Sequence, residues 1–402
     1  MKKIYIIIIL AIIGLSANAQ TAYITNYHGD NVTVINVATN TVIDTITVGR
    51  DPYCVSASPD GSKVYVANWQ DATISVINTV TNTVSATITV GAYTYPYGVS
   101  VSPDGSKIYV ANNSANTVSV INSTTNTVSA VIPVGSNPVG ISSSSDSSKV
   151  YVVNNGAASV SVINTATNTV SAIIAVGSNP NGISVSPDGL RVYVANSYSG
   201  TVNVINTSTN TVTDTITGFN GPEGVCVSPD GLSVYITNTG DSTVSVINTV
   251  TNTVSATIVV GSNPVGISVS PDGSKVYIAN RSSNTVNVIN TTTNTVTDTI
   301  AVGNGPAALG NFISIYPSHT SIAPQSIEQA SINVYPNPVT NALIIESPPA
   351  VIEITNIQGQ LIKTFTATSV KTNIDVSAFP CGVYVVEVKM EKGVEVKKFV
   401  KE

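Results

Sequence analysis

The chain has 402 residues and a formal net charge of −6, with charged side chains at only 9% of positions against 42% hydrophobic ones. So apolar and weakly charged a sequence excludes a disordered chain, and its mild acidity offers no clustered Lys and Arg for nucleic acid. Two histidines exclude a His-rich metal or haem centre, and three cysteines (Cys54, Cys226, Cys381) are too few for a disulfide framework.

Taken from the N-terminus, "MKK", the apolar run "IYIIIILAIIGL" and the small-residue stretch "ANA" predict a signal peptide over residues 1–19, removed before Gln20. The apolar run is too short to span a bilayer, and no later stretch is long and apolar enough, so the mature chain is expected to hold no transmembrane segment. No Cys follows the cleavage site, so no lipid anchor is expected there.

Residues 20–314 are a repeat. Tyr-[Val/Ile]-x-Asn recurs with its Tyr at 23, 65, 109, 151, 193, 235 and 277, stepping by 42 except for a single 44, where "AYTYPYG" replaces the "SNPVG" of other units. "TNTV" keeps step seven times, and "SPDG" occurs five times with "SDSS" as a degraded sixth. One unit, Pro138–Gly177, holds four strand-like runs: "VGISSS", "KVYVVN", "SVSVIN" and "TVSAIIAVG". Four short strands in about 42 residues predict a propeller blade. The first copy opens on its second strand, and the last runs on into "GPAALGNFIS". Residues 307–314 are therefore expected to complete the first blade, closing a seven-bladed ring with no free sheet edge.

The stretch "VSVSPDGSKIYVANNSANTVSVINSTTNTVSAVIPVG" resembles the YVTN-type β-propeller repeat of secreted and surface-layer proteins. That resemblance covers about Thr21–Ser314 and implies fold; propellers host binding modules and enzymes alike.

Residues 315–330 ("IYPSHTSIAPQSIEQA") read as a linker. Over residues 331–402, six strand-like runs, several of them separated by Gly-containing turns, predict a small β-sandwich. Here "VYPNPVTNALIIE…IEITNIQGQLIKT…NIDVSAFPCGVYVVEVK…KKFVK" resembles the type A sorting domain of the type IX secretion system. The resemblance implies that the secretion machinery is a partner through this domain, and that the chain is secreted or displayed on the outer cell surface.

Chemistry is sparse. No triad, GxGxxG or P-loop stands out, so no catalytic residue, cofactor or metal is expected. The SPDG aspartates (Asp60, Asp104, Asp188, Asp230, Asp272) suit tight turns, in which Pro presets φ and Asp bonds local backbone. Neighbouring blades hold them ~10 Å apart, too far to share an ion. The repeated Tyr reads as packing and the Asn three residues later as a strand end bonding turn backbone. Cys54 and Cys226, on first strands of separate blades, read as small buried residues.

Comparing the copies with one another is more informative. The turns after strands one and three should share one rim and barely vary. The turns after strands two and four should share the other rim, and there the tips read "YHGD", "WQDA", "NSAN", "NGAA", "SYSG", "TGDS" and "RSSN". Loops on a rigid scaffold carry function. Residues just after the loop Pro should ring the central opening, among them Tyr53, Tyr97 and Glu223. The candidate ligand-binding set is therefore Tyr27, Tyr53, Trp69, Tyr93, Tyr95, Tyr97 and Glu223. Exposed aromatics there suit a surface glycan or protein ligand. The expected function is a non-enzymatic binding or scaffold module on the cell surface. A lactonase- or hydrolase-type propeller built around Glu223, with Asp51 nearby, and a structural surface-layer component are the alternatives.

Overall fold

In the computed structural model the described residues are 20–314, 332–347, 349–356, 360–367, 369–390 and 393–402. The expected signal peptide (1–19) and linker (315–330) lie outside them. The chain divides into two compact units.

The first unit is all-β and consists of seven four-stranded antiparallel sheets. Blade two is representative, with strands Pro52–Ala57, Lys63–Asn68, Thr73–Asn78 and Thr83–Thr89 in sequential order. First strands pack against the first strands of neighbouring blades. Fourth strands form the periphery, where Thr83–Thr89 exposes every other side chain and buries Ile88. The second and third strands, each reading Val or Ile at alternate positions, are buried between adjacent sheets, as are all seven repeated tyrosines, none more than 3% exposed.

The ring closes as the chain ends predict. Ile313–Ser314 pairs with Thr21–Asn26, Thr21 opposite Ser314 and Ala22 opposite Ile313. The closing strand is short because "PAALGN" has one residue more between its Pro and the belt position than "PVGIS". Ala308 (φ 43) and Gly310 (φ 99) absorb the surplus. The displaced backbone bonds sideways into blade two instead, Val55 N–H to the Leu309 carbonyl and Ala57 N–H to the Asn311 carbonyl, both at 2.9 Å.

Side chains repeated in every blade serve the fold. In blade two the Asn68 Nδ2 donates to Thr73 Oγ1 (3.0 Å) and Ser75 Oγ (2.9 Å), and its counterparts do likewise. This corrects the expectation that the Asn bonds turn backbone: it clamps the third strand through side chains. The Asn of each "TNTV" takes the left-handed conformation, φ 50–55, which Asn tolerates better than most residues. Lys63, Lys107, Lys149 and Lys275 each reach a carbonyl in the outer hairpin of the next blade.

The SPDG-type turns behave as turns. Ser144 Oγ donates to Asp146 at 2.6 Å and the Ser148 N–H at 2.9 Å. The hydroxyl of the serine two residues upstream, seconded by turn N–H groups, holds Asp104, Asp146, Asp188 and Asp230 below the usual carboxylate range, Asp146 at about 2. A depressed folded pKa contributes stability that is full above the unfolded value, near 4, and lost as pH falls through the folded value. The melting temperature is therefore expected to fall between pH 4 and pH 2. Asp146→Ala should lessen that fall, a difference that thermal denaturation across this range measures.

The second unit holds two sheets. One runs Asn333–Tyr335, Ala342–Glu346, Lys371–Asp375, and the other Leu361–Ala367, Ala350–Asn356, Gly382–Met390, Gly393–Lys401. Leu343, Ile345, Ile352, Ile354, Ile374, Val386 and Phe399 pack between them, so the sandwich expectation holds. Sequence reading missed the short Asn333–Tyr335 strand, which ends at the Tyr of "YPNP".

Candidate functional site

Each first strand of blades two to seven carries a register shift just inside its leading Pro, between Pro52 and Val55 in blade two and between Pro222 and Val225 in blade six. A bulge leaves the extra residues unpaired and re-aims their side chains. The residue after the Pro is thereby brought to the ring axis.

At the axis these residues fill the opening rather than ring it. Tyr53 is 6% exposed, Val139 5%, Val265 1% and Ala307 0%. Tyr53 packs on Tyr97 with ring centroids 4.2 Å apart, and Tyr27 meets Tyr53 edge-on at 5.5 Å. From the far side of the ring Glu223 accepts a long hydrogen bond from the Tyr53 hydroxyl, 3.5 Å. Arg281 lies with its guanidinium carbon 4.7 Å above the Tyr27 ring and 5.5 Å above that of Tyr53, and its Nη1 reaches the Tyr53 hydroxyl at 3.5 Å. Five blades thus meet in one aromatic and charged plug.

Position three of the bulge explains how they come so close. It is Gly98, Gly140, Gly182, Gly224 and Gly266 in blades three to seven, and a Cβ on any of them would sit 2.1–2.3 Å from a backbone carbonyl oxygen of the next blade. Blade two has Cys54 there, its thiol donating to the Leu309 carbonyl of blade one at 2.8 Å. Burial pushes that thiol up to about 12, so it is an inert packing group. Cys54, Cys226 and Cys381 are all free.

Other candidates lie further out on the same rim. Trp69 stacks on Tyr95 at 4.8 Å, joining the tip after strand two of blade two to the lengthened "AYTYPYG" loop. Tyr93 in that loop is 80% exposed. Loops after strands two and four are tied together as the rim assignment requires, Trp69 N–H to the Asp51 carbonyl and Asn113 N–H to the Tyr95 carbonyl. Arg50 adds an ion pair to Asp71, 2.6 Å. Tyr27, Tyr53, Tyr97 and Glu223 therefore come together, Trp69 and Tyr95 form a second pair, and Tyr93 stands free of both. Asp51 is outside the plug contacts. Sequence reading missed Arg281 and the 85% exposed Tyr198. The signal for Arg281 was present, since it is the sole Lys or Arg among the seven tips after strand two.

Electrostatically the plug is poised. Burial raises Glu223 to about 7, against the opposing pull of Arg281 and the Tyr53 hydroxyl. Burial also raises Tyr53 and Tyr97, so both hydroxyls stay protonated and can donate. Because the folded pKa of Glu223 exceeds its unfolded value, its contribution to stability is full below about 4.5 and is lost as pH rises through about 7. Between pH 5 and pH 8 the protein should lose on the order of 2 kcal/mol from this group. Glu223→Gln should flatten that limb in chemical denaturation curves.

Among the described residues no group of three or more His, Cys, Asp and Glu is placed to hold a metal, and no helix is long and apolar enough to cross a membrane.

Comparison with known proteins gives three family matches. A YNCE-like beta-propeller family matches residues 8–129 and 124–235; a family described as lactonase, 7-bladed beta-propeller, matches residues 206–305; and a secretion system C-terminal sorting domain matches residues 333–402. No curated protein matches the chain. Among solved structures, Kuenenia stuttgartiensis hydrazine synthase is similar over 65% of this chain and 90% of that one, with 22% identity and a TM-score of 0.60. A functionally unknown protein from Desulfotomaculum acetoxidans is similar over 72% and 99%, with 20% identity and a TM-score of 0.63. At those identities the likeness is one of fold. The sorting domain directs export through the type IX secretion system to the cell surface or the medium. With its seven closed blades and its match across more than half its length, the chain belongs to the YNCE-like beta-propeller family.

Proposed function

We propose that this exported propeller is a binding module that engages a protein partner through its variable rim. The observation that carries the reading is the meeting of Tyr27, Tyr53, Tyr97, Glu223 and Arg281 from five blades at one end of the axis. The opposite rim has nearly uniform turns. A filled, aromatic, Arg-bearing centre surrounded by polar tips has the composition of an interface hot spot within an excluding rim. Tyr93 and Tyr198 add two exposed aromatic rings to the same variable rim.

The test is capture of outer-surface proteins on the immobilised mature chain, beside a glycan array. A protein retained by wild type and lost with both Trp69→Ala and Arg281→Ala supports the reading; retention by both variants, or binding to glycans alone, overturns it. An enzyme of lactonase type is the second reading, favoured by the family match over residues 206–305, which include Glu223 and Arg281. Its sign would be lactone turnover abolished by Glu223→Gln.

A further inference from the structure

Beneath the plug the channel narrows to a cavity of about 40 Å³. Val225, Ile141, Ile183 and Ile267 close it off as an apolar diaphragm, touching this cavity on one side and a much larger one on the other. The larger space, about 460 Å³, lies toward the uniform rim and is lined by all seven blades. Ligand pockets are typically a few hundred to ~1,000 Å³, so this vestibule has the volume of one.

Its wall is a belt built from one position of the repeat, the fifth residue of each first strand: Ser56, Ser100, Ser142, Ser184, Cys226 and Ser268, with Asn311 at the ring closure. All but Ser268 line the vestibule. Prolines of the SPDG turns, Pro59, Pro103, Pro229 and Pro271, form the collar at its mouth. No Asp, Glu, Lys, Arg or His is in the lining.

The belt hydroxyls are half used. Ser56, Ser142 and Ser184 each accept an N–H from the next blade, of Val101, Val185 and Val227, at 3.3 Å. Their hydroxyl protons have no acceptor among the described residues. Ser56 is 5% exposed, so its proton is held in a buried site facing the vestibule. Buried polar groups normally find partners. Asn311 adds an exposed carboxamide whose Oδ1 accepts from Ser268 at 3.3 Å, leaving its N–H₂ to donate. Ringed hydroxyls beside an apolar floor, with no charge, match a molecule with one apolar face and neutral hydroxyls around it.

We infer that the vestibule is a second binding site, for a neutral saccharide of one or two rings, on the rim opposite the protein-binding face. The ring's C–H face rests on the Val and Ile diaphragm, and its hydroxyls accept from Ser56, Ser142, Ser184 and Asn311. The inference does not depend on the partner proposed for the variable rim.

The experiment is isothermal titration calorimetry of the mature full chain with glucose, galactose, N-acetylglucosamine, maltose and cellobiose, and with glucuronate and glucosamine as charged counterparts. At least one neutral sugar should bind, at least ten-fold tighter than its charged counterpart. Ser184→Cys, which copies the residue blade six already carries, should weaken it several-fold while leaving the melting temperature within a few degrees. Cys226→Ser, which completes the belt, should tighten it. If no neutral sugar binds, if charged forms bind equally, or if both belt variants leave affinity unchanged, the inference is overturned.

Discussion

Gly182→Ala should lower the melting temperature by about 10 °C, through a loss of about 3 kcal/mol, the upper range for overpacking a close-packed site. The added methyl would sit 2.1 Å from the Glu223 carbonyl oxygen and 3.1 Å from the Val225 amide nitrogen. Both are backbone atoms, so no rotamer change relieves the contact, and first strands of adjacent blades must part. The glycine does not have an unusual φ; the requirement is purely one of approach. Asn181→Ala, one residue earlier, is the control. It removes a side chain whose buried Oδ1 has no partner among the described residues, so it should change stability by well under the Gly182→Ala loss. Differential scanning calorimetry of the two variants separates the explanations. Equal losses would mean that the bulge as a whole, and not the glycine contact, sets the packing at the axis.

The same pair of positions shows what could be read from sequence. Blade number, ring closure and the assignment of turns to rims followed from the period, because every copy repeats the same local chemistry: Tyr packs between sheets, Asp closes its turn, Asn sits at left-handed φ. The axial plug did not follow. The sequence placed Tyr53, Tyr97 and Glu223 at the axis but implied an opening, since a repeat compares a position with its copies and says nothing of how seven copies fill a shared centre. Tyr53 and Glu223 are 170 residues apart and meet across the ring. The vestibule was hidden as well. Its serines drew no notice in the sequence, and only the mutual arrangement of seven first strands shows that they enclose space. Cys54 was read correctly as a small packed residue, yet the carbonyl that accepts its thiol lies 255 positions away.

Arg281→Ala should weaken partner binding about 30-fold, roughly 2 kcal/mol, as expected for loss of an Arg hot spot. The side chain enters from blade seven, lies over Tyr27 and Tyr53, and meets the Tyr53 hydroxyl, which in turn reaches Glu223. Removing it takes away the one positive charge of the plug and the larger of the two influences that oppose protonation of Glu223, leaving only the Tyr53 hydroxyl. Arg281→Lys keeps the charge but not the planar face that lies on Tyr27, so it should recover only part of the affinity. Asp188→Ala, in an SPDG turn on the other rim, should leave binding unchanged. Surface plasmon resonance against the captured partner distinguishes these outcomes, with the effect expected chiefly in the dissociation rate, where hot-spot losses fall. Full recovery by lysine would mean that charge alone is read, and equal loss with Asp188→Ala would move the interface away from the variable rim.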